Sequence, residues 1–402
     1  MVPFPLAPPS CRRQPPAIPS MPAKPIRRIG VMTAGGDCPG LNATIRAVAK
    51  TAILRYGLEV VGIEDGFVGL MEGRVRPLSM RDASGILTRG GTILGSNNKA
   101  NPARQYAGTD ASGQPLHEDR RHLCVRTAEQ HRLDAIVVIG GDGTMSGAAK
   151  LVESGLVILG IPKTIDNDLV GSEISIGFLT AVATATDAID KLQSTAESHH
   201  RVMVCEVMGR NAGWIALSSG VASGSDIILM PEVPFHFDKV AEFIESRRRG
   251  GPGFAVVVVS EGARPAGGEQ VVAEIDRESA DPIRLGGIGK VVAHEIAART
   301  GVETRTTVLG HVQRGGSPIA ADRVLATNFG FWTVTALMDG ARNRLIVRQR
   351  HTFVDVDLRE CADRQRTVPL DEPLIDAARA VGTHFGADLA SSTRQTLSAA
   401  VF

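Results

Sequence analysis

Three apolar runs, each ending in a Gly-rich or Asp-rich loop, constrain this chain more than any other feature. Ile29–Met32 leads into Thr33-Ala34-Gly35-Gly36-Asp37-Cys38-Pro39-Gly40. Ala135–Ile139 leads into Gly140-Gly141-Asp142-Gly143-Thr144, and Val157–Ile161 into Pro162-Lys163-Thr164-Ile165-Asp166-Asn167-Asp168. A near-continuous aliphatic run is the pattern of a strand buried on both faces, as in a parallel sheet. Open parallel sheets bind ligands beyond the carboxyl ends of their strands. Three polar loops at three such ends therefore predict one site built from all three.

Elsewhere short β-branched runs alternate with longer helical patterns. Further strands are expected at Glu59–Ile63, Val202–Val207, Asp226–Met230, Phe254–Ser260 and Thr306–Leu309. Helices are expected at Asn42–Leu54, Leu179–Leu192, Lys239–Arg248, Lys290–Arg299 and Ala320–Met338. That alternation gives an α/β fold with mainly parallel sheets. The chain has 402 residues, and at ~150 residues per domain it is long enough for two such sheets. The charge balance, 44 basic against 43 acidic residues, argues against a polyanion binder or a membrane-surface protein. Aromatics at 4% argue against stacking platforms for single-stranded nucleic acid. No apolar window reaches the ~18–20 residues of a membrane span.

Residues 1–25 hold nine of the 22 prolines, with Pro8-Pro9 and Pro15-Pro16 among them. Proline at that density sustains neither helix nor central strand, so a disordered tail is expected. The stretch has no apolar core of a secretory signal. Met21 opens a more protein-like start. The five cysteines, Cys11, Cys38, Cys124, Cys205 and Cys361, form no C-x-x-C pair, so a reducing cytoplasm fits best. The adjacent His199 and His200 lack partners at zinc spacing.

The strand-end loops carry the chemistry. Glycine lets backbone approach a ligand closely, and successive N–H groups hold phosphate. Gly35 and Gly40 have P-loop spacing, but Leu41-Asn42 follows instead of Lys-Ser/Thr. No G-x-G-x-x-G follows the first strand, which argues against a nicotinamide dehydrogenase. Asp142, between glycines, suits Mg²⁺, a hard cation that prefers oxygen; a helix cap is the alternative. Asp166 and Asp168 lie two residues apart, flanked by Thr164 and Asn167. One could serve a metal while the other accepts a hydroxyl proton, as phosphoryl transfer requires. A turn-stabilising Asx cluster is the alternative. Arg210 follows one strand, and His311 and Arg314 lie in a Gly-rich turn after another. Such cations suit phosphate.

Together the segments TAGGDCPGLNATIR, GGDGT, PKTIDND, EVMGR and TVLGHVQRGGSP resemble the phosphofructokinase family, from about Arg28 to about Leu337. The resemblance implies two Rossmann-like three-layer α/β/α lobes with the active site in the cleft between them. It implies a larger lobe at 26–180, completed by about 290–345, that binds the phosphoryl donor. A smaller lobe at 181–289 would bind the sugar phosphate, and a helical segment at 346–402 would pack on both. The implied reaction moves a phosphoryl group from ATP with Mg²⁺ to the 1-hydroxyl of fructose 6-phosphate. Gly36, Lys99, Asp142, Gly143, Thr144 and Lys163 would hold the donor, and Asp142 and Asp168 the metal. Asp166 matches the general base, assisted by Thr164, and Arg210 the transition-state cation. Met208, Gly209, Glu261, His311 and Arg314 match sugar-phosphate ligands. Arg201 and Arg305 match ligands donated by a neighbouring subunit, which implies a homodimer or homotetramer.

Gly143 resembles the ATP type, because aspartate there opposes the nucleotide in pyrophosphate-dependent members. Lys163 resembles both the pyrophosphate enzymes and a mixed ATP-dependent subgroup. ATP is therefore the expected donor and pyrophosphate the alternative. A sensor that had lost catalysis would be expected to lack Asp142, Asp166 or Arg210, and all three are present. Two departures stand out. Asn97-Asn98-Lys99 replaces the usual phosphate-binding arginine, with Lys99 able to act only as a point charge. Arg46, Lys50 and Arg74 resemble effector ligands, but Gly250-Gly251-Pro252-Gly253 replaces the usual lysine-rich stretch. Regulation by ADP and phosphoenolpyruvate is expected to be weak or absent. A rate measured with and without millimolar phosphoenolpyruvate should not change several-fold.

Overall fold

The computed structural model describes residues 25–389 apart from 113, 252 and 276–282. The expected tail lies outside these residues except for Pro25, as do Cys11 and Met21. Two sheets organise the described residues. The larger has seven strands, in the order Thr352–Asp357, Arg344–Gln349, Ile158–Pro162, Ala135–Gly140, Arg28–Thr33, Glu59–Ile63 and Val75–Pro77. Its five inner strands are parallel and its two edge strands antiparallel. The smaller sheet is all parallel, in the order Thr304–Val308, Val202–Val207, Ala255–Ser260 and Ile227–Leu229.

The inner strands of both sheets are buried on both faces, which is why they read as continuous apolar runs. On the larger sheet, Met32, Ile136 and Val138 pack with Phe67, Leu70 and Met145. The opposite side chains, Val31, Val137 and Ile139, join a cluster that also contains Cys205, Val207 and Val258 of the smaller sheet. One apolar cluster thus ties the two lobes together. The outer face of the smaller sheet packs Val204 and Val257 against Val240, Ile244 and Val292. Cys38, Cys124, Cys205 and Cys361 are buried free thiols. Burial pushes the first three up to about 12.

In the larger sheet the strand order reverses once, between Arg28–Thr33 and Ala135–Gly140. Ligand crevices form at such points. The loops after these two strands are the Gly35–Gly36 and Asp142–Gly143 segments, and the Met208–Arg210 and His311–Arg314 segments follow the adjacent strands Val202–Val207 and Thr304–Val308 of the smaller sheet.

Two expectations are corrected. The smaller lobe does not end at 289. The helix Ile288–Thr300 feeds Thr304–Val308, which pairs with Val202–Val207 in the smaller sheet. A crossover helix and its following parallel strand belong to one sheet. The larger lobe is completed instead by the helix Ala320–Met338 and the strand Arg344–Gln349. Nor is the segment after 346 mainly helical. It begins with a hairpin, Arg344–Gln349 against Thr352–Asp357, and only short helices follow, at Leu358–Cys361 and Pro373–Ala380. The hairpin turns on Arg350 and His351, both at positive φ (46° and 66°), without the Asn-Gly or Asp-Gly signal that usually marks such a turn. Residues 390–402 lie outside the described residues.

Long-range capping fixes the helices at the crevice. Asp322, fully buried, accepts from Gly177 N at 3.1 Å, Thr180 N at 2.7 Å and Thr180 Oγ1 at 2.5 Å. It thereby caps the helix Phe178–His199 from a segment more than 140 residues away in sequence. Asp322→Ala leaves these donors buried and unsatisfied, so a loss of about 3 kcal/mol in stability is expected. The urea unfolding midpoint checks it.

Candidate active site

The loop after the first strand is held from three sides. Gly35 N donates to the Asn97 carbonyl at 3.0 Å, and Ser96 Oγ donates to the Gly35 carbonyl at 2.5 Å. Lys163, 3% exposed, donates Nζ to the Gly36 carbonyl. Burial pushes its ammonium below the usual lysine range. Arg314 Nη1 donates to the Asp37 carbonyl at 3.1 Å. A Cβ on Gly36 would lie 2.8 Å from that guanidinium, so a larger residue there would make Arg314 shift. Lys99 stands at the end of the loop that carries Asn97, and its N–H donates to Asn97 Oδ1 at 2.8 Å.

Asp142 and Gly143 begin the helix Asp142–Glu153, with Thr144 buried behind them. The Thr144 hydroxyl faces Gly35, so the first and second strand-end loops touch. The third loop is a rigid turn. Asp166 N donates to Thr164 Oγ1 at 3.2 Å, and Thr164 Oγ1 donates to Asp168 Oδ1 at 3.0 Å. Asn167, at φ 53°, accepts from Ser175 N at 2.9 Å through Oδ1. These bonds fix the Asp166 carboxylate without using it. Its Oδ1 is buried and has no hydrogen-bond partner among the described residues. Burial holds Asp166 above the usual carboxylate range; Arg314 and Arg210 oppose this, while Glu261 and Asp142 reinforce it. Asp168 is likewise raised, by burial and then by Asp166 and Asp142.

The smaller lobe supplies the facing wall. Gly209, at φ 133°, accepts from Ser260 Oγ at 2.6 Å, and a Cβ there would lie 2.5 Å from that oxygen. Glu261 N donates to the Val207 carbonyl at 2.8 Å, which interlocks the two strand ends. Gln270 Nε2 donates to the Arg210 carbonyl at 3.2 Å. Met208, Glu261 and His311 line a cavity of about 420 Å³, with Glu206 and Lys290 beside them. Burial pushes Glu261 up to about 7.

Most of the expected residues therefore converge on one cleft. Arg201 and Arg305 do not. Both pair with Glu303, at 2.7 and 2.5 Å, at the edge strand of the smaller sheet, and neither lines the cavity. Arg314, matched to the sugar phosphate, lies against the donor loop; its charge also acts on Asp166 and Glu261.

Several site residues were not singled out from sequence. Gln313 is fully buried and accepts from Met208 N at 3.3 Å, which docks the GHVQR turn beneath the cavity. Glu206 accepts from Gly287 N at 3.0 Å and Gly289 N at 2.7 Å, capping the helix that carries Lys290. The segment 365–368 bonds to residues of both lobes. A charged residue inside an otherwise apolar strand, as in Val-Cys-Glu206-Val, was the one available signal.

Among the described residues no three His, Cys, Asp or Glu side chains enclose a metal. Mg²⁺ does not need such a cage, because one or two carboxylates suffice when waters and phosphates complete its shell. Asp142 and Asp168 offer oxygen only, from neighbouring strand ends. Asp168 is shifted upward first by burial and then by the neighbouring Asp166 and Asp142, and a dication would relieve that carboxylate crowding. The residues present fit Mg²⁺.

A cleft between two α/β lobes, with Gly-rich loops and the Asp166 turn on one side and Arg210, Glu261 and a largely apolar cavity carrying Glu206, Lys290 and His311 on the other, suits group transfer involving phosphates. The chain belongs to the phosphofructokinase family, whose model matches residues 28–337. It is 43% identical to an ATP-dependent 6-phosphofructokinase 2 of Clostridium perfringens, covering 90% of this chain and 99% of that one. It is 48% identical to a pyrophosphate–fructose 6-phosphate 1-phosphotransferase of Amycolatopsis mediterranei, covering 86% and 97%. Its fold is similar to that of a pyrophosphate-dependent phosphofructokinase from Marinobacter aquaeolei, with a TM-score of 0.73 at 20% identity, covering 90% and 92%. Among the described residues no helix is long and apolar enough to cross a membrane.

Proposed function

We propose that the chain phosphorylates the 1-hydroxyl of fructose 6-phosphate, with ATP as donor. The observation that carries this reading is the unpartnered, buried Oδ1 of Asp166 in a turn fixed by other bonds. A carboxylate held this way has an open position for a hydroxyl proton. Burial raises its proton affinity, which suits a base. Arg210 and Arg314 stand close enough to act on the same carboxylate, and such cations stabilise the charge that develops on a transferring phosphoryl group. Glu261 and Met208 would orient the sugar, and His311 its 6-phosphate.

Gly35, Gly36 and Thr144 would cradle the donor phosphates. Asp142 and Asp168 would hold Mg²⁺, which when bound neutralises phosphate charge and orients the donor. Lys163 braces the Gly36 carbonyl and adds a positive charge to the cradle.

Gly143 supports ATP. Among the described residues no atom beyond its chain neighbours and its own helix backbone lies within 4 Å of a Cβ built there, and glycine sets no carboxylate against a nucleotide. Pyrophosphate is the second reading, favoured by the buried Lys163 and by relatives of that name. Purified protein assayed with fructose 6-phosphate, Mg²⁺ and each donor separates them. Activity with ATP is expected, and activity with pyrophosphate alone would sink the ATP reading.

The pairing of Arg201 and Arg305 on an exposed sheet edge, outside the protomer's own cavity, supports their donation to a neighbour in a homodimer or homotetramer. The buried free thiols suit a reducing cytoplasm.

A further inference from the structure

The segment Gln365–Val368 runs between the two lobes and bonds to both. Gln365 pairs with Leu169 in an isolated antiparallel bridge, and Arg366 N donates to the Asp168 carbonyl at 2.6 Å. Arg366 Nη1 donates to the Asn167 carbonyl at 3.0 Å. These contacts fasten the segment to the Asp166–Asp168 turn. On the other side, Trp214 Nε1 donates to the Arg366 carbonyl at 3.2 Å, and the Arg366 guanidinium stacks 4.1 Å from the Trp214 ring centroid. Val368 N donates to Glu232 Oε1 at 2.8 Å, and the same oxygen accepts from Gly213 N at 3.0 Å.

One side chain in this strap bonds to a residue of each lobe. Gln365 Nε2 donates to Asp142 Oδ2 at 2.7 Å, and Gln365 Oε1 accepts from Asn211 Nδ2 at 2.9 Å. Asp142 belongs to the larger lobe, whereas Asn211 directly follows Arg210 in the smaller. A primary amide suits this position because it donates to a carboxylate at one end and accepts from an amide at the other. Its neutral charge leaves the negative charge of Asp142 intact.

We propose that Gln365 is a positioning residue of the transfer site. It holds the Asp142 carboxylate in one orientation and sets the distance between that carboxylate and the Arg210 loop. The strap makes this geometry specific, because Arg366 anchors the backbone beside Gln365 to Asp168 and Trp214. The inference rests on the reading of Asp142 as a Mg²⁺ ligand. Outer partners that orient a metal-binding carboxylate affect metal affinity without touching the metal.

The test compares Gln365→Ala, Asn211→Ala, the double variant and Asp142→Asn with the parent chain, all carrying Trp332→Phe so that Trp214 is the only tryptophan. The Mg²⁺ concentration for half-maximal rate is expected to rise roughly ten-fold in Gln365→Ala, with the KM for fructose 6-phosphate unchanged. Asn211→Ala should shift it in the same direction. The double variant should be no worse than Gln365→Ala alone, since both remove one bridge. Acrylamide quenching of Trp214, measured without substrates, should increase in Gln365→Ala. Gln365→Glu keeps the shape but removes the Nε2 donor to Asp142 and sets a carboxylate against it, so the Mg²⁺ concentration for half-maximal rate should again depart from the parent's in a chain that still folds. An unchanged Mg²⁺ requirement in Gln365→Ala and Gln365→Glu, with Asp142→Asn impaired, would overturn the inference alone. An unchanged requirement in Asp142→Asn would overturn the reading of Asp142 itself. Additive effects in the double variant would also count against a shared bridge.

Discussion

Replacing Asp166 by Asn is expected to lower kcat by about 10²–10⁴-fold and to leave the KM for fructose 6-phosphate within a few-fold. The amide has the shape of the carboxylate, and the turn around it is held by Thr164, Asn167 and Ser175 rather than by the Asp166 side chain. Folding and sugar binding should therefore persist. What disappears is the group that takes the hydroxyl proton, an interaction made in the transition state and not in the ground state. Steady-state kinetics separate the two cases, because a lost binding contact raises KM while a lost base lowers kcat. A large rise in KM with little change in kcat would reassign Asp166 to substrate binding.

The second large effect is expected at Gly143. Gly143→Asp should cut kcat/KM for ATP roughly 100-fold or more, since a carboxylate about 5 Å from a phosphate at an effective dielectric of ~20 is repelled by about 3 kcal/mol. No described atom lies within 4 Å of a Cβ built at this position, and its φ is not in the left-handed region. The substitution thus acts on the ligand rather than on the fold. Pyrophosphate, which ends where the nucleotide continues, should be affected less. Measuring kcat/KM for both donors in the variant and the parent checks the argument. Unchanged use of ATP would remove the steric and electrostatic basis for assigning the donor from Gly143.

These two residues were legible in the sequence for a physical reason. Parallel strands buried on both faces read as apolar runs, and glycine or aspartate must interrupt them where backbone meets a charged ligand. Ala135–Ile139 and the loop after it announce both facts at once. The same logic pointed to Asp142, Asp168 and Arg210 as candidates. It did not identify Gln365, because the strap is irregular and has no periodicity. Its importance comes from crossing to residues as much as 223 positions distant. The hairpin at Arg344–Asp357 was missed because its turn uses Arg350 and His351 at positive φ in place of glycine. The lobe boundary was misplaced for another reason. Helix Ile288–Thr300 carries no mark of which sheet it covers, and only the pairing of Thr304–Val308 decides it. Local pattern reports strand ends well, whereas long-range partners such as Asp322 and Glu206 emerge only when the chain is folded.

Transfer of label tests the central claim most directly. Purified protein incubated with fructose 6-phosphate, Mg²⁺ and ATP labelled in its γ-phosphoryl group should place the label on the 1-position of the sugar, in step with ADP release, and Asp166→Asn should abolish most of it. Label on another hydroxyl, or release of phosphate with none on the sugar, would contradict phosphoryl transfer to fructose 6-phosphate at this cleft.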